Sequence, residues 1–277
     1  MSIYVWNKRI KSLFAWGSTE KDYSAMRWPA PEWFHVPLNA ERLGVETIMK
    51  WLSLNTWDWR RINLHIPYAG ARVYDNSGAE DHSNFAALWS SSTVWSSARW
   101  VFLSSSEVGT NSMNYRSYGY SIRCFKDSFE TPTSSWTVIK WTLWSAWIFW
   151  NKSKWLISIT SNWTTGYTIQ DKNLWATTVY SNWNTLSSAN CGYYYQRWNN
   201  YGFAWTWSIS TSSTLVNASG YGPWNYYSSN KFITLSSGGD RSSVRNDNLW
   251  WWVTWMIERQ KAAKAVYLWN TKVWESI

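Results

Sequence analysis

The sequence predicts an α+β protein built mostly from short antiparallel strands and long loops, with one or two helices. Two observations carry this prediction. Short β-branched stretches recur between turn-forming Ser, Thr and Asn residues, a pattern typical of strands joined by loops. Only two stretches, residues 40–52 and 256–268, have the spacing or composition of a helix. The chain of 277 residues is long enough to bury a sizeable core.

The first predicted helix covers residues 40–52, and Asn39 precedes it as a candidate N-terminal cap. Its apolar residues at helical spacing are Leu43, Ile48, Met49 and Leu52. The second helix, residues 256–268, is predicted from its Ala, Lys, Gln and Glu content. Strands are predicted in RWVFLSS, YGYSIRCFKD, WLISIT and YTIQD, which begin at residues 99, 118, 155 and 167.

Tryptophan is too common for these turns, and glycine is too rare. The chain has 29 tryptophans and 13 glycines, although turn-rich chains use glycine freely because tight turns need positive φ. Stretches such as SNWTTGY and SNWNTLS become ordinary turns when glycine replaces tryptophan. Some bacterial lineages decode UGA as glycine, so we interpret the excess as UGA codons translated here as tryptophan. The alternative is a genuine aromatic surface that stacks sugars or lies at a membrane interface.

The recoding hypothesis makes a structural prediction. Many tryptophans should then be exposed, lie in turns and in some cases have positive φ, where a bulky side chain is an outlier. Well-buried tryptophans throughout would favour the aromatic alternative. The densest group lies in NDNLWWWVTW, residues 246–255.

Charge and hydropathy argue against two classes of partner. The net charge is +9, but the basic residues are scattered without a run of five, so nucleic-acid binding is not expected. The most apolar run, residues 141–150, is too short to span a membrane. The first residues do not resemble a signal peptide, so a secreted form would require further sequence. Cys124 and Cys191 could form one disulfide, two free thiols or halves of other bridges.

Three stretches that begin at residues 29, 64 and 87 carry recognisable motifs: PAPEWFHVPLNAERL, LHIPYAGARVYDNSG and ALWSSSTVWSSARWVFL. In that order they resemble the CPEGFHVP, LPFAGYR and YYWSSS segments of the FISUMP major paralogous domain, a bacterial surface module. YRSYGYSIRCFKDS is similar to its terminal motif R-x-x-G-[FY]-S-[VI]-R-C-x-K-D. The residues in register with that motif are Arg116, Gly119, Ser121, Arg123, Cys124, Lys126 and Asp127.

A second group of stretches resembles the opening half of the same domain. TIQDKNLWATTVYSNWNTLSSANCGYYYQRWNNYGF begins at residue 168, and NDNLWWWVTW resembles NDNLWGGVTG, with Trp250 as a true family tryptophan. We therefore expect a closing half in residues 1–128, a linker in 129–136, and the opening half of a second domain in 137–277, with a C-terminal helix and strand tail. IYVWNKRI and VYLWNTKV, at residues 3–10 and 266–273, align as a short internal repeat.

The resemblance implies a C-type-lectin-like form of the α+β fold and a set of structural motif residues. These are His35, Pro37, Trp89, Ser90, Ser91, Arg116, Gly119, Arg123, Cys124 and Asp127. The chain departs from the family at two positions. Ala30 stands where the family has a cysteine, so Cys124 would lack its usual partner, and Arg197 replaces a tryptophan.

No sequence motif assembles a nucleophile, a base and its orienting group, so no enzyme activity or catalytic residue is expected. His35 lies in the FHVP motif, where a structural hydrogen bond is favoured over catalysis. The loop with Asp75, Glu80, Asp81 and His82 could ligate Ca²⁺ through oxygen, although a solvated acidic loop is the favoured interpretation. No other cofactor is expected.

Two further groups are candidates for ligand binding. Asn246, Asp247 and Asn248 resemble the Asn and Asp pairs by which lectin-like folds bind calcium and sugar. Tyr193, Tyr194 and Tyr195 alternate across a predicted strand and either stack a sugar or fill a β core, with the core favoured.

The expected function is recognition or adhesion by an extracellular or cell-surface module, with glycans or other surface proteins as partners. One alternative is a structural repeat of a large surface protein that has no ligand of its own. Another is an enzyme on the related sulfatase-modifying fold, which the missing catalytic cysteines argue against.

Overall fold

The computed structural model describes residues 30–31, 33–52, 61–75, 79–80, 83–94, 97–104, 106–141, 146–161, 166–181, 185–197, 199–205, 208–217, 227–236, 239 and 242–244. Over these residues the chain is rich in β-structure, with helices α1 (Asn39–Trp51) and α2 (Ser188–Cys191). The strands are β1 (Phe34–His35), β2 (Ala71–Arg72), β3 (Ala79–Glu80), β4 (Phe85–Val94), β5 (Ser97–Ser104), β6 (Val108–Tyr115), β7 (Gly119–Ser121), β8 (Phe125–Lys126), β9 (Thr137–Trp141), β10 (Trp147–Asn151), β11 (Leu156–Thr160), β12 (Gly166–Gln170), β13 (Tyr193–Gln196), β14 (Phe203–Ala204), β15 (Thr211–Ser212), β16 (Val216–Asn217), β17 (Phe232–Ile233) and β18 (Ser242–Val244). The predicted β-rich α+β class is confirmed.

Helix α1 lies where the sequence predicts the first helix. Asn39 is its first helical residue rather than a preceding cap, and the N–H of Leu38 donates to Oε2 of Glu41 at 2.8 Å. Such a reach-back from the third helical residue is half of a capping box. The second predicted helix, residues 256–268, lies outside the described residues.

The buried face of α1 differs from the predicted one at a single residue. Ile48, Met49 and Leu52 are buried in the main core with Val45 packed against it. Leu43 is instead 38% exposed, because it precedes Val45 by two residues, about 200° around the helix. The face is therefore set by i, i+3, i+4 and i+7 counted from Val45.

The first sheet has the strand order β1-β8-β12-β11-β10-β9, and every neighbouring pair is antiparallel. Its central strand β11, with the sequence LISIT, is buried along its whole length. A strand covered on both faces needs apolar or hydrogen-bonded residues throughout, which the alternating Ile and Ser/Thr provide.

The second sheet has the order β14-β13-β7-β4-β5-β6, with β2 paired to β7 and β3 paired to β2. Its β4–β5–β6 part is a meander of long antiparallel strands, whereas β4 and β7 run parallel. Two small parallel pairs, β15–β17 and β16–β18, complete the described strands. The predicted strands that begin at residues 99, 155 and 167 lie in these two sheets. The one predicted from residue 118 is divided into β7 and β8, which belong to different sheets.

The main hydrophobic core joins the regions assigned above to different domain copies. Its buried members include Met49, Leu64 and Leu88 from the earlier region and Ile148 and Ile157 from the later one. Both sheets likewise contain strands from each side of residues 129–136. The two regions therefore fold around one core.

Candidate functional site

His35 is held between two carboxylates. Its Nδ1 lies 3.0 Å from Oδ1 of Asp127, and its Nε2 lies 3.0 Å from Oε2 of Glu41. The imidazole is 2% exposed. Asp127 directly follows β8, and Glu41 lies in the first turn of α1. The hydrogen bonds expected for His35 therefore tie together β1, α1 and the segment after β8, and the ring has almost no surface for a substrate.

Arg123 is a fully buried hub of hydrogen bonds. Its guanidinium donates to the carbonyl oxygens of Leu64, His65 and Gln170 and to Oδ1 of Asn173 at 2.8–3.2 Å. Burial lowers the pKa of Arg123 to about 10, so the group still carries its charge at neutral pH. Backbone oxygens around a buried cation hold irregular loops in place.

Arg42 and Arg197 likewise donate hydrogen bonds to backbone carbonyl oxygens, in this case those of β4. A guanidinium N–H of Arg42 donates to the carbonyl oxygen of Trp89, and Arg197 donates to those of Ser90 and Ser91. Burial lowers the pKa of Arg42 to about 9. Arg197, which departs from the family pattern, is thus a structural group that the sequence resemblance does not identify.

The remaining motif residues of this region are also packed. The indole N–H of Trp89 donates to the carbonyl oxygen of Tyr195 at 2.7 Å, and the N–H of Ser91 donates to that of Pro37 at 2.8 Å. Arg116 donates to the carbonyl oxygen of Ser97 at 3.1 Å. These contacts fix loops and strands rather than present side chains to solvent.

Gly119 allows the ring of Phe232 and the side chain of Arg72 to lie close to the backbone of β7. A Cβ placed there would lie 2.9 Å from the ring of Phe232 and 3.1 Å from Cβ of Arg72. Any side chain at this position would therefore displace the segment that carries Phe232.

Both cysteines are free and buried. Burial raises the pKa of the Cys124 thiol strongly and that of the Cys191 thiol to about 12. A thiol with a raised pKa is a poor nucleophile. Ala30, at the position where the resemblance would place a cysteine, lies in the same buried cluster as Cys124.

The candidate cation ligands are only partly described. Asp75 is exposed in a turn, and Glu80 lies in β3 opposite Ala71. Asp81, His82 and residues 246–248 lie outside the described residues. Within the described part of the chain, no group of three or more His, Cys, Asp or Glu side chains could hold a metal ion.

The tyrosine triplet divides between core and surface. Tyr194 and Tyr195 are buried at 1% and 0% exposure, whereas Tyr193 is 36% exposed. The favoured interpretation, that the triplet fills a β core, therefore applies to two of its three rings. The hydroxyl group of Tyr194 also donates a hydrogen bond to the carbonyl oxygen of Ala69.

Among the described residues, three tryptophans have a backbone conformation that favours glycine. Trp33, Trp155 and Trp175 have φ values of 66°, 58° and 65°, and they are 55%, 41% and 51% exposed. We call them the turn tryptophans. A left-handed conformation costs a residue with a Cβ roughly 1–2 kcal/mol.

The local hydrogen bonds explain these positions. The N–H of Phe34 donates to the carbonyl oxygen of Pro31, and the N–H of Ala176 to that of Asn173. Trp33 and Trp175 are thus the third residues of two hydrogen-bonded turns, where a positive φ calls for glycine. Trp155 is the last residue of the loop between β10 and β11. Other tryptophans do not follow this pattern, since Trp89 is fully buried.

A small cavity lies beneath α1, between the helix and the two sheets. Its volume is about 60 Å³, and its walls are mainly apolar, with Arg42, Glu46 and Arg123 at its polar part. Sites for small organic ligands usually measure about 300–1,000 Å³. This cavity is therefore too small for a sugar.

Sequence reasoning did not identify Glu41, Arg42 or Asn173, which complete these clusters. Glu41 had a usable signal, because a glutamate as the third helical residue is typical of a capping box. Arg42 and Asn173 have no comparable local signal, since their partners are distant in the sequence.

No helix of the described residues has both the length and the apolar character needed to cross a membrane. Comparisons with protein-family models, curated proteins and solved structures find no match to this chain.

Proposed function

We propose that this chain is a non-enzymatic recognition or adhesion module of an extracellular or cell-surface protein, built on a FISUMP-type, C-type-lectin-like domain. The observation that carries the proposal is the backbone at Trp33 and Trp175. Both have positive φ in hydrogen-bonded turns, and both stand where the FISUMP motifs PEGFHVP and NLGAT have glycine. At both positions the backbone therefore has the conformation that glycine favours, although the sequence has tryptophan there.

The buried motif residues support the same proposal. His35 bonds to Asp127, and Arg123 bonds to oxygens that flank it from the stretches beginning at residues 64 and 168. Four of the stretches that carry the resemblance, those that begin at residues 29, 64, 115 and 168, are therefore neighbours in space. Motif residues used for internal hydrogen bonds fit a scaffold whose loops bind a partner.

The natural protein then has glycine at the turn tryptophans, because it comes from a lineage that decodes UGA as glycine. This changes the nature of the binding surface. The exposed rings of Trp33, Trp155 and Trp175 are not sugar-stacking platforms, and binding falls to polar loops. The candidate ligand-binding groups lie in the loop with Asp75, Glu80 and Asp81 and at residues 246–248. Ca²⁺ is a candidate bridge between these groups and a glycan.

A second candidate is a structural repeat without a ligand. It is favoured by the aligned segments at residues 3–10 and 266–273, which flank the domain-like region. Repeats of this kind join modules into arrays.

A glycan array distinguishes the two candidates. The probe is the full chain with glycine at the UGA-encoded positions, applied with Ca²⁺ and then with a chelator. We expect selective glycan binding that falls in the Asp75→Asn, Asp81→Asn variant, while Glu107→Gln, which changes an acidic residue elsewhere, binds as the parent does. An absence of binding to glycans by the correctly folded chain would overturn the recognition proposal and favour the structural repeat.

A further inference from the structure

Trp100 of β5 is a sheet tryptophan whose indole N–H lacks a hydrogen bond. Its Nε1 atom is buried, and no acceptor meets it within the described part of the chain. By contrast, the indole N–H groups of Trp89 and Trp150 each donate to a protein oxygen. A tryptophan selected for a buried position normally finds an acceptor for its N–H group. Position 100 therefore holds an indole whose single polar group is left unsatisfied.

The pairing of β5 with β6 is irregular directly after Trp100. Trp100 lies opposite Ser112 and Phe102 lies opposite Gly109, so β6 has one residue more than β5 over this stretch. Such β-bulges are common at sheet edges and beside functional sites. A glycine inside a strand often marks a point where a ligand approaches the backbone closely. A glycine at position 100 would combine these two features.

The ring of Trp100 is surrounded by other aromatic rings. It stacks on Tyr120 with the ring centroids 4.7 Å apart and an interplanar angle of 29°. It also meets Phe102 and Phe85 edge to face, at 5.4 and 6.5 Å. Trp100 itself is only partly buried, so solvent reaches the place that it fills. We call this place, bounded by Phe85, Phe102 and Tyr120, the aromatic slot.

Polar side chains lie beside the aromatic slot on the same face of the sheet. Residues directly opposite each other in an antiparallel pair share a face, which places Ser112 beside Trp100 and Asn114 beside Ala98. The amide of Asn114 donates to the hydroxyl group of Tyr120. Aromatic walls with hydroxyl and amide groups at their edge suit a ligand that has an apolar ring face and polar groups around it.

A row of rings leads from the slot to the loop that begins at Asp75, which we call the acidic loop. Between ring centroids, Tyr118 lies 5.7 Å from Tyr120, and Tyr74 lies 5.3 Å from Tyr118. Tyr74 directly precedes Asp75, one of the candidate ligand-binding residues. One glycan can therefore reach both the acidic loop and the slot.

We propose that position 100 is glycine in the natural protein and that the aromatic slot then holds one pyranose ring of a glycan, with the apolar face of the sugar against Tyr120. This inference rests on the proposed function and deepens it, because the slot adds a stacking subsite to the acidic loop. Trp100 occupies the place of the sugar, since an indole and a pyranose with its hydroxyl groups are similar in size. The walls Phe85, Phe102 and Tyr120 contain no tryptophan and do not depend on how UGA is decoded.

The Trp100→Gly chain, which also carries glycine at the turn tryptophans, tests the slot. The probes are glucose, galactose, mannose and N-acetylglucosamine, each titrated into the folded chain in a calorimeter. We expect one or more of these sugars to bind about tenfold more tightly than to the chain that retains Trp100, because the face of Tyr120 becomes free for stacking. No gain for any of the four sugars would overturn the proposal.

Two further variants of the Trp100→Gly chain separate the slot from other surfaces. Phe102→Ala should remove the gain in affinity. The matched control, Tyr115→Ala, should leave it unchanged, because this exposed ring lies on the opposite face of β6 from Asn114. The gain should also persist in a chelator of Ca²⁺. Sugar binding that the chelator abolishes and Phe102→Ala does not affect would support the proposed function and overturn the slot.

A second measurement does not depend on the folding of a variant. In the protein made in its natural host, tryptic cleavage after Arg99 makes residue 100 the first residue of peptide 100–116. We expect mass spectrometry to show that this peptide begins with glycine. Tryptophan at this position would overturn the proposal, because the slot would then be filled in the natural protein.

Discussion

The tryptophans of the turns and those of the sheets differ in backbone conformation and in burial. Trp33 and Trp155 have positive φ and are about half exposed. Trp89 and Trp150 lie in β4 and β10, and their indole N–H groups donate to Tyr195 and Asp171. At these two sheet positions the indole groups of the tryptophans are hydrogen-bonded. In the turns the backbone has a conformation that only glycine adopts without strain.

This difference separates two causes of the same residue excess. A protein that selects tryptophan for stacking places it where its backbone is relaxed and its ring has a partner. If a glycine codon is translated as tryptophan, the tryptophan falls where the backbone needs glycine, whatever its ring contacts. Trp33, Trp155 and Trp175 have the positive φ that the second cause predicts, and Lys172 lies over the ring of Trp155. Trp89 is buried, as the first cause predicts.

The largest effect is expected at Trp89. Trp89→Ala removes a fully buried ring and its hydrogen bond to Tyr195, so we expect a loss of about 3–5 kcal/mol in the free energy of unfolding. Urea denaturation measures it. The matched control, Trp33→Ala, removes an exposed ring and should change stability by no more than about 0.5 kcal/mol. Equal losses in the two variants would remove the distinction between sheet and turn tryptophans.

A smaller, pH-dependent effect is expected at Trp150. Its indole N–H donates to Oδ2 of the buried Asp171 at 2.8 Å, and Trp150→Phe removes that donor from a carboxylate, at a cost of about 1.5–3 kcal/mol.

Burial raises the pKa of Asp171, and the Trp150 hydrogen bond opposes that rise. The folded state therefore penalises the charged form at pH values above the folded pKa, and the penalty is relieved as the pH falls through it. The cost of Trp150→Phe should be full at neutral pH and shrink in acid, as seen in urea midpoints across pH. A cost independent of pH would show that the hydrogen bond to Asp171 is not its source.

The smallest effect per site has the opposite sign. Trp33→Gly, Trp155→Gly and Trp175→Gly should each stabilise the protein by about 1 kcal/mol, because glycine relieves the left-handed strain. Thermal or urea denaturation measures the gain. The corresponding alanine variants keep the Cβ and serve as controls, so they should not reproduce it. Destabilisation by glycine at all three sites would indicate that the rings themselves are selected.

Local features of the fold could be predicted from the sequence, whereas the pairing of distant segments could not. The spacing of Ile48, Met49 and Leu52 predicted α1, and the LISIT stretch predicted β11. The pairing of β13 with β7 has no local signal, because it depends on contacts between residues far apart in the chain.

The motif resemblance located the polar cluster only in part. His35 and Arg123 were identified, but Arg42 and Arg197 were not, because a buried arginine that binds carbonyl oxygens has the same sequence appearance as a surface one. The turns at Trp33 and Trp175 were not predicted from the residues around them. The turns predicted in SNWTTGY and SNWNTLS centre on tryptophans that lie outside the described residues.

Peptide sequencing by mass spectrometry of the protein made in its natural host shows which residue stands at each of these positions. Tryptic peptides 28–42, 155–172 and 173–197 contain the turn tryptophans, and peptide 73–99 contains Trp89. We expect glycine at positions 33, 155 and 175 and tryptophan at position 89. Tryptophan at all four positions would contradict this expectation and would make the aromatic residues of the turns genuine parts of this protein.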